Sequence, residues 1–160
     1  VLIPFILLQK NNMSNVKILI HLIFSTKHRQ PFLSKNIRYE IFKHISDNCK
    51  LKGISLKAIN GYTDHVHCLI SLGKDQNIAD VTQLIKGESS FWINKNKMVN
   101  GKFKWQDDYF AISIGEKDVP IVMNYIQNQE EHHSKKSFGE EVLEFLEKYD
   151  FKMEAGKMIG

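Results

Sequence analysis

The alternation of apolar and polar positions divides the chain into four strands and four helices. Residues 16–25 are rich in β-branched and large apolar side chains and predict a buried strand. Lys27-His28-Arg29-Gln30-Pro31 is a basic loop closed by proline. Ser34 stands where an N-cap belongs, and Ile37, Ile41, Ile45 and Cys49 follow at helical spacing until Gly53. Residues 55–61 predict a second strand that turns at Gly61-Tyr62-Thr63-Asp64. In the third, residues 65–72, His65, His67, Leu69 and Ser71 share one face. Val66, Cys68, Ile70 and Leu72 form an apolar set on the other. Residues 78 to about 94 read as a helix with Ile78, Val81, Leu84, Ile85, Phe91 and Trp92 close to one stripe. Gly87 inside it costs about 1 kcal/mol against Ala. Residues 105–114 predict a fourth strand. Residues 118–132 predict a helix with Pro120 in its first turn, packing Val119, Val122, Met123 and Ile126. Ser137 and Glu140 have capping-box spacing and open a last amphipathic helix through Phe138, Val142, Phe145, Leu146 and Tyr149.

The order β-α-β-β-α-β-α-α predicts an α+β fold of the ferredoxin-like, split βαβ kind. Its antiparallel sheet carries helices on one face, with further C-terminal helices, and leaves the other face for a site. The length of 160 residues suits one domain, read here as residues 13–150. Residues 151–160 read as a loose tail. Residues 1–12 read as a non-native or upstream extension, because Met13-Ser14-Asn15 resembles a natural start. The apolar run of residues 1–8 is far short of the roughly 20 residues that span a bilayer, so no membrane role is expected. With 42% hydrophobic and 25% charged residues, a disordered, collagen-like or coiled-coil chain is excluded. The formal charge of +4 permits a polyanionic partner without demanding one. Cys49 and Cys68 are too few for a disulfide framework and lack CxxC spacing, which fits a reducing, cytoplasmic setting.

His65 and His67 are the foremost candidates for chemistry. Side chains two apart on a strand point the same way, about 6.6–6.8 Å apart, so two imidazoles can converge on one divalent ion. Seven histidines give roughly 0.3 such pairs by chance, and two exposed strand histidines are the alternative. Tyr125, Gln129 and His132, at i, i+4 and i+7, form a polar stripe on the helix of residues 118–132. A tyrosine there either caps the core or serves as a covalent nucleophile. In the second case Gln129 offers an amide oxygen as a third metal ligand beside it. His132 and His133, with Glu130 and Glu131, read as a solvated helix C-terminus. Lys27, Arg29, Lys86 and Trp105 are candidate DNA-binding residues, the cations for phosphates and the indole for stacking on unpaired bases. Asp64, Asp107 and Asp108 could hold Mg2+, but isolated turn and loop acids read more readily as solvated, and no phosphate-cradling glycine loop is present.

Taken together, Ala58-Ile59-Asn60-Gly61-Tyr62-Thr63-Asp64-His65-Val66-His67, Phe103-Lys104-Trp105-Gln106 and Tyr125-Ile126-Gln127-Asn128-Gln129-Glu130-Glu131-His132-His133 resemble the IS200/IS605-type transposases, the single-tyrosine HUH endonucleases. The resemblance runs from about residue 16 to residue 149. It implies an enzyme that cuts and rejoins single-stranded DNA at element ends through a 5′-phosphotyrosine link, recognising DNA hairpins. Tyr125 would be the nucleophile, and His65, His67 and Gln129 would hold Mg2+ or Mn2+. A homodimer with active sites shared between chains is also implied, without any nucleotide cofactor. Residues 1–12 do not fit the family's start. The chain lacks the long basic extension associated with host-adapted relatives, which favours a mobile-element enzyme over a domesticated one. Two other readings compete: a non-catalytic or domesticated nucleic-acid-binding module on the same fold, and a metal-dependent hydrolase acting through bound water.

Overall fold

The computed structural model describes residues 14–149, together with the backbone of residues 152–154 and 157–159. The extension expected at residues 1–12 lies outside the described residues. Strands β1 (Ile18–Ser25), β2 (Ser55–Gly61), β3 (His65–Leu72) and β4 (Phe110–Ile114) form one sheet in the order β2-β3-β1-β4. Every neighbouring pair is antiparallel. Helices α1 (Lys35–Leu51) and α2 (Ile78–Lys95) connect β1 to β2 and β3 to β4. Each crossover returns the chain to the sheet, and the β2–β3 hairpin places β3 against β1, which is the ferredoxin-like arrangement.

One face of the sheet packs on α1 and α2. Leu22 and Phe24 from β1 meet Val66, Cys68 and Ile70 from β3, Ile41, Phe42 and Ile45 from α1, and Val81 and Ile85 from α2. Asn77 caps α2 by accepting a hydrogen bond from the Asp80 amide. Ser34 stands at the start of α1, but its hydroxyl makes no cap bond. The buried stripe of α2 runs through Val81, Thr82, Ile85, Ser89 and Ile93, whereas Leu84 and Phe91 are exposed, contrary to the sequence expectation. Ser89 can sit in the stripe because its hydroxyl donates back to the Ile85 carbonyl.

The opposite face is covered by helices α3 (Val119–Gln127), α4 (Gln129–His133) and α5 (Phe138–Lys148). Helix α3 lies over β2 and β3, tied there by Asn60 Nδ2 donating to the Gln127 carbonyl at 2.9 Å. Ile126 from α3 is fully buried with Ile23 and Leu69 of the sheet, a burial that contributes about 1.5–3 kcal/mol per side chain. The helix expected over residues 118–132 is broken at Asn128 (φ −99°, ψ 27°), which separates α3 from α4. The fourth strand is shorter than expected. Trp105 makes only an isolated bridge to Thr26, and regular pairing begins at Phe110. Past α5, β5 (Lys152–Glu154) and β6 (Lys157–Ile159) pair antiparallel where the sequence suggested an irregular tail.

Candidate active site

His65 and His67 are fully buried on the helix-covered face. Register places His65 opposite Ser25 and His67 opposite Ile23 of β1. Gly61 makes the tight approach into β3 possible, because a Cβ there would lie 2.2 Å from the His65 carbonyl oxygen. His65 Nδ1 lies 2.7 Å from Asp64 Oδ1. Burial would raise the Asp64 carboxyl, but the hydrogen bond from His65, its charge and that of Arg29 outweigh it and hold the group below the usual value. An ionised carboxylate only accepts, so His65 Nδ1 carries a proton toward Asp64 and Nε2 faces inward. His67 Nδ1 lies 3.0 Å from Nε2 of His21, a third buried histidine, on β1. Burial, with the neighbouring His65, lowers His67 well below its ordinary value and keeps it neutral.

Helix α4 brings Gln129, whose Oε1 lies 3.3 Å from His65 Nε2 and 3.1 Å from His133 Nε2. Its amide donates to the Tyr125 carbonyl, holding the side chain across the break at Asn128. The buried Arg38 of α1 anchors α4 through an ion pair with Glu130, which also accepts from Tyr39 at 2.7 Å. His133 points into the site. Its Nδ1 donates to the Lys136 carbonyl at 2.8 Å, and burial, with His65 nearby, lowers it to about 4. The expectation of a solvated helix end therefore fails for His133, because α5 folds back over it.

Glu141 of α5 completes the group. It is 1% exposed, with Oε1 3.3 Å from His67 Nε2 and Oε2 3.3 Å from His133 Nε2 and 3.6 Å from His65 Nε2. Burial, aided by Asp64 and Glu144, raises its carboxyl to about 8. The donor atoms of His65, His67, His133 and Glu141 lie within 4.8 Å of one another. His67 Nε2 and both Glu141 oxygens lack hydrogen-bond partners. Buried donors left unpaired and aimed at one point fit a divalent cation. Sequence reasoning missed Glu141 and His21, although both break an apolar pattern. Glu141 falls on the stripe between Phe138 and Phe145, and His21 interrupts the run of residues 18–24.

Tyr125 stands beside this group. Its ring centroid is 5.6 Å from that of His67, and its hydroxyl lies 3.3 Å from His132 Nε2. Tyr125, His21, Glu141 and Phe145 line one cavity of about 160 Å³. The remaining sequence candidates fall elsewhere. Lys27 pairs with the Asp107 carboxylate at 2.9 Å, and Lys86 donates to the Asp107 carbonyl at 2.8 Å. Lys86, Asp107 and Trp105 line a separate cavity of about 530 Å³. Trp105 corrects the stacking expectation. It is 5% exposed, edge-on to Phe24 and Phe103, with its N–H donated to Ser89, so no face is open to a base. Arg29 lies at the rim of the histidine site, between Asp64 and the Phe138 ring.

A ferredoxin-like sheet with a tyrosine helix laid over paired strand histidines belongs here to a chain that comparison with known proteins places among the transposases. The chain belongs to the IS200-like transposase family, whose model matches residues 14–129. The ISDra2 transposase TnpA of Deinococcus radiodurans is 25% identical over 115 residues, covering 68% of this chain and 81% of the relative. Two solved structures share the fold. One, from Deinococcus radiodurans R1 and provisionally described as a transposase, has a TM-score of 0.59 and 24% identity, covering 75% of this chain and 96% of its own. The other is a REP-associated tyrosine transposase bound to a REP hairpin, with a TM-score of 0.58 and 18% identity, covering 76% of this chain and 72% of its own. No described helix is long and apolar enough to cross a membrane.

Proposed function

We propose that the protein cuts and rejoins single-stranded DNA at hairpin-bearing element ends through a covalent link to Tyr125. The observation that carries this reading is the Tyr125 ring standing 5.6 Å, centroid to centroid, from His67, with Tyr125 lining one cavity together with His21 and Glu141. His65 and His67, with Gln129 beside them, would hold a divalent ion. When bound, that ion polarises the scissile phosphodiester and steadies charge on the departing oxygen.

The Tyr125 oxygen attacks phosphorus and the bond from phosphorus to the 3′-oxygen breaks. The DNA is left as a 5′-phosphotyrosine ester and a 3′-hydroxyl. The phenol proton passes to His132 Nε2, 3.3 Å away, and the leaving oxygen takes a proton from solvent. Return attack by a 3′-hydroxyl reseals a strand and restores the phenol. One ester replaces another, so no nucleotide hydrolysis is needed. The hairpin-bound relative supports hairpin DNA as partner, and Lys27, Arg29 and Lys86 are the cations proposed to meet phosphates. The family likeness supports a homodimer.

Incubation with labelled single-stranded DNA carrying the element ends, with and without Mn2+, tests the reading on a denaturing gel. A DNA–protein adduct is expected, and Tyr125→Phe is expected to abolish it while hairpin binding survives. Cleavage by Tyr125→Phe to a free 5′-phosphate would instead establish hydrolysis by bound water.

A further inference from the structure

We infer that His133 and Glu141 are metal ligands beside His65, His67 and Gln129, so that the centre contains three histidines and one carboxylate and takes a transition-metal ion in preference to Mg2+. The inference deepens the reading above and rests on it for the role of the ion. Both residues lie beyond the span matched to the family, which ends at Gln129.

The first argument is the fate of the ring protons. Each of the three imidazoles engages its Nδ1 away from the centre: His65 with Asp64, His67 with His21 and His133 with the Lys136 carbonyl. A carbonyl and a carboxylate can only accept, which puts the Nδ1 protons of His133 and His65 on the outer side and turns both Nε2 atoms toward the oxygens of Gln129 and Glu141. His67 Nε2 has no partner other than the Glu141 carboxylate 3.3 Å away. Ligating histidines are held in this way, with the second nitrogen fixed by an acceptor.

The second argument is the carboxylate. Glu141 is 1% exposed, and neither oxygen makes a hydrogen bond, although three Nε2 atoms lie 3.3–3.6 Å away. No described lysine or arginine pairs with it. The local sequence goes to some length to place it there. The Ser137–Glu140 capping box fixes the start of α5, and Phe138 stacks on the His65 ring at 4.2 Å. A buried carboxylate held among imidazole lone pairs is explained by a cation between them.

The donor set then selects the ion. Three imidazole nitrogens suit Fe2+, Co2+, Ni2+ or Zn2+ best and, with the carboxylate among them, also Mn2+, whereas Mg2+ prefers an all-oxygen shell and keeps much of its water. Of the two ions implied by the resemblance, these donors favour Mn2+.

The test is calorimetric titration of the full chain, stripped with EDTA and dialysed, with MnCl2, CoCl2 and MgCl2, alongside the visible absorption of the Co2+ form. Glu141→Gln and His133→Gln keep side-chain bulk and are checked for folding by circular dichroism. Each is expected to weaken Mn2+ binding by about tenfold or more and to change the Co2+ spectrum. Tyr125→Phe is expected to bind as wild type does. Mg2+ is expected to bind at least about 100-fold more weakly than Mn2+. Losses smaller than tenfold in both variants, or equal affinity for Mg2+ and Mn2+, overturn the inference. Should either variant fail to fold, the other and the Mg2+ comparison decide. A protein that binds Mn2+ through these four residues yet forms no DNA adduct overturns the tyrosine reading and leaves the centre standing.

Discussion

Nε2 of His21 lies 3.0 Å from Nδ1 of His67, so the second histidine of the candidate site is oriented from the neighbouring strand. The relationship is diagonal across the β1–β3 pair, since His21 is opposite Leu69 and His67 is two residues on. His21 is itself buried and lowered to about 4, by burial first and by the Lys148 charge second, so it is neutral at pH 7 and able to accept. His21→Phe keeps a flat ring but removes the acceptor. Metal affinity is expected to fall by about 10–100-fold, the range for loss of such a support. Unchanged Mn2+ affinity in this variant would show that His67 is aligned by packing alone.

Gly61 sets the position of His65 through the backbone. A Cβ at residue 61 would lie 2.2 Å from the His65 carbonyl oxygen and 3.0 Å from the Val66 Cα, so Gly61→Ala must displace the start of β3. The expected cost is about 1–3 kcal/mol, in line with forced overpacking. At roughly 2–4 °C per kcal/mol for a domain of this size, melting should fall by several degrees. Weaker Mn2+ binding is expected alongside, because His65 moves with its carbonyl. A melting temperature equal to wild type would mean that the hairpin relaxes at no cost.

The sheet and its first two helices were legible because their patterns are set by burial on a regular period. Alternation in residues 65–72 gave both the strand and the face shared by His65 and His67. Tyr125 and Gln129 were legible in the same way, as neighbours one turn apart. The rest of the site was not, because it depends on where the chain folds back. His133 reads as a polar helix end until α5 covers it, and Glu141 reads as one more acid in an acidic helix until the stripe beneath it proves to be an imidazole cluster. Trp105 failed for the opposite reason. An aromatic among lysines resembles a stacking platform, but Ser89 supplies a buried partner for its N–H, and the ring belongs to the core.

Tyr125 lies beside the histidines of its own chain, with its ring centroid 5.6 Å from that of His67. This geometry predicts that a chain lacking the phenol cannot be rescued by a chain lacking an imidazole. An equimolar mixture of Tyr125→Phe and His67→Ala, refolded together, is expected to form no covalent adduct with single-stranded DNA. Adduct formation by the mixture above the sum of the separate variants would mean that the tyrosine helix serves a partner's site.

The two thiols give a pH dependence whose sign is fixed by burial. Cys49 is pushed up to about 11, chiefly by burial and further by Glu88, and the enclosed Cys68 is also raised by burial. In the unfolded chain a thiol ionises near about 8.5. Between those values the native state holds protons that the unfolded state has lost, so stability falls as pH rises. The contribution is intact below about pH 8.5 and disappears as pH climbs through about 11. Urea unfolding at steps from pH 8 to pH 11 should show this decline. Cys49→Ala is expected to be less stable at pH 8, through lost packing, with the gap from wild type narrowing as pH rises. Both thiols are also expected to resist an aromatic disulfide reagent at pH 8 until the protein is unfolded, because the buried thiolate scarcely forms. A constant gap between the two proteins across this range would show that Cys49 titrates alike in the folded and unfolded chain.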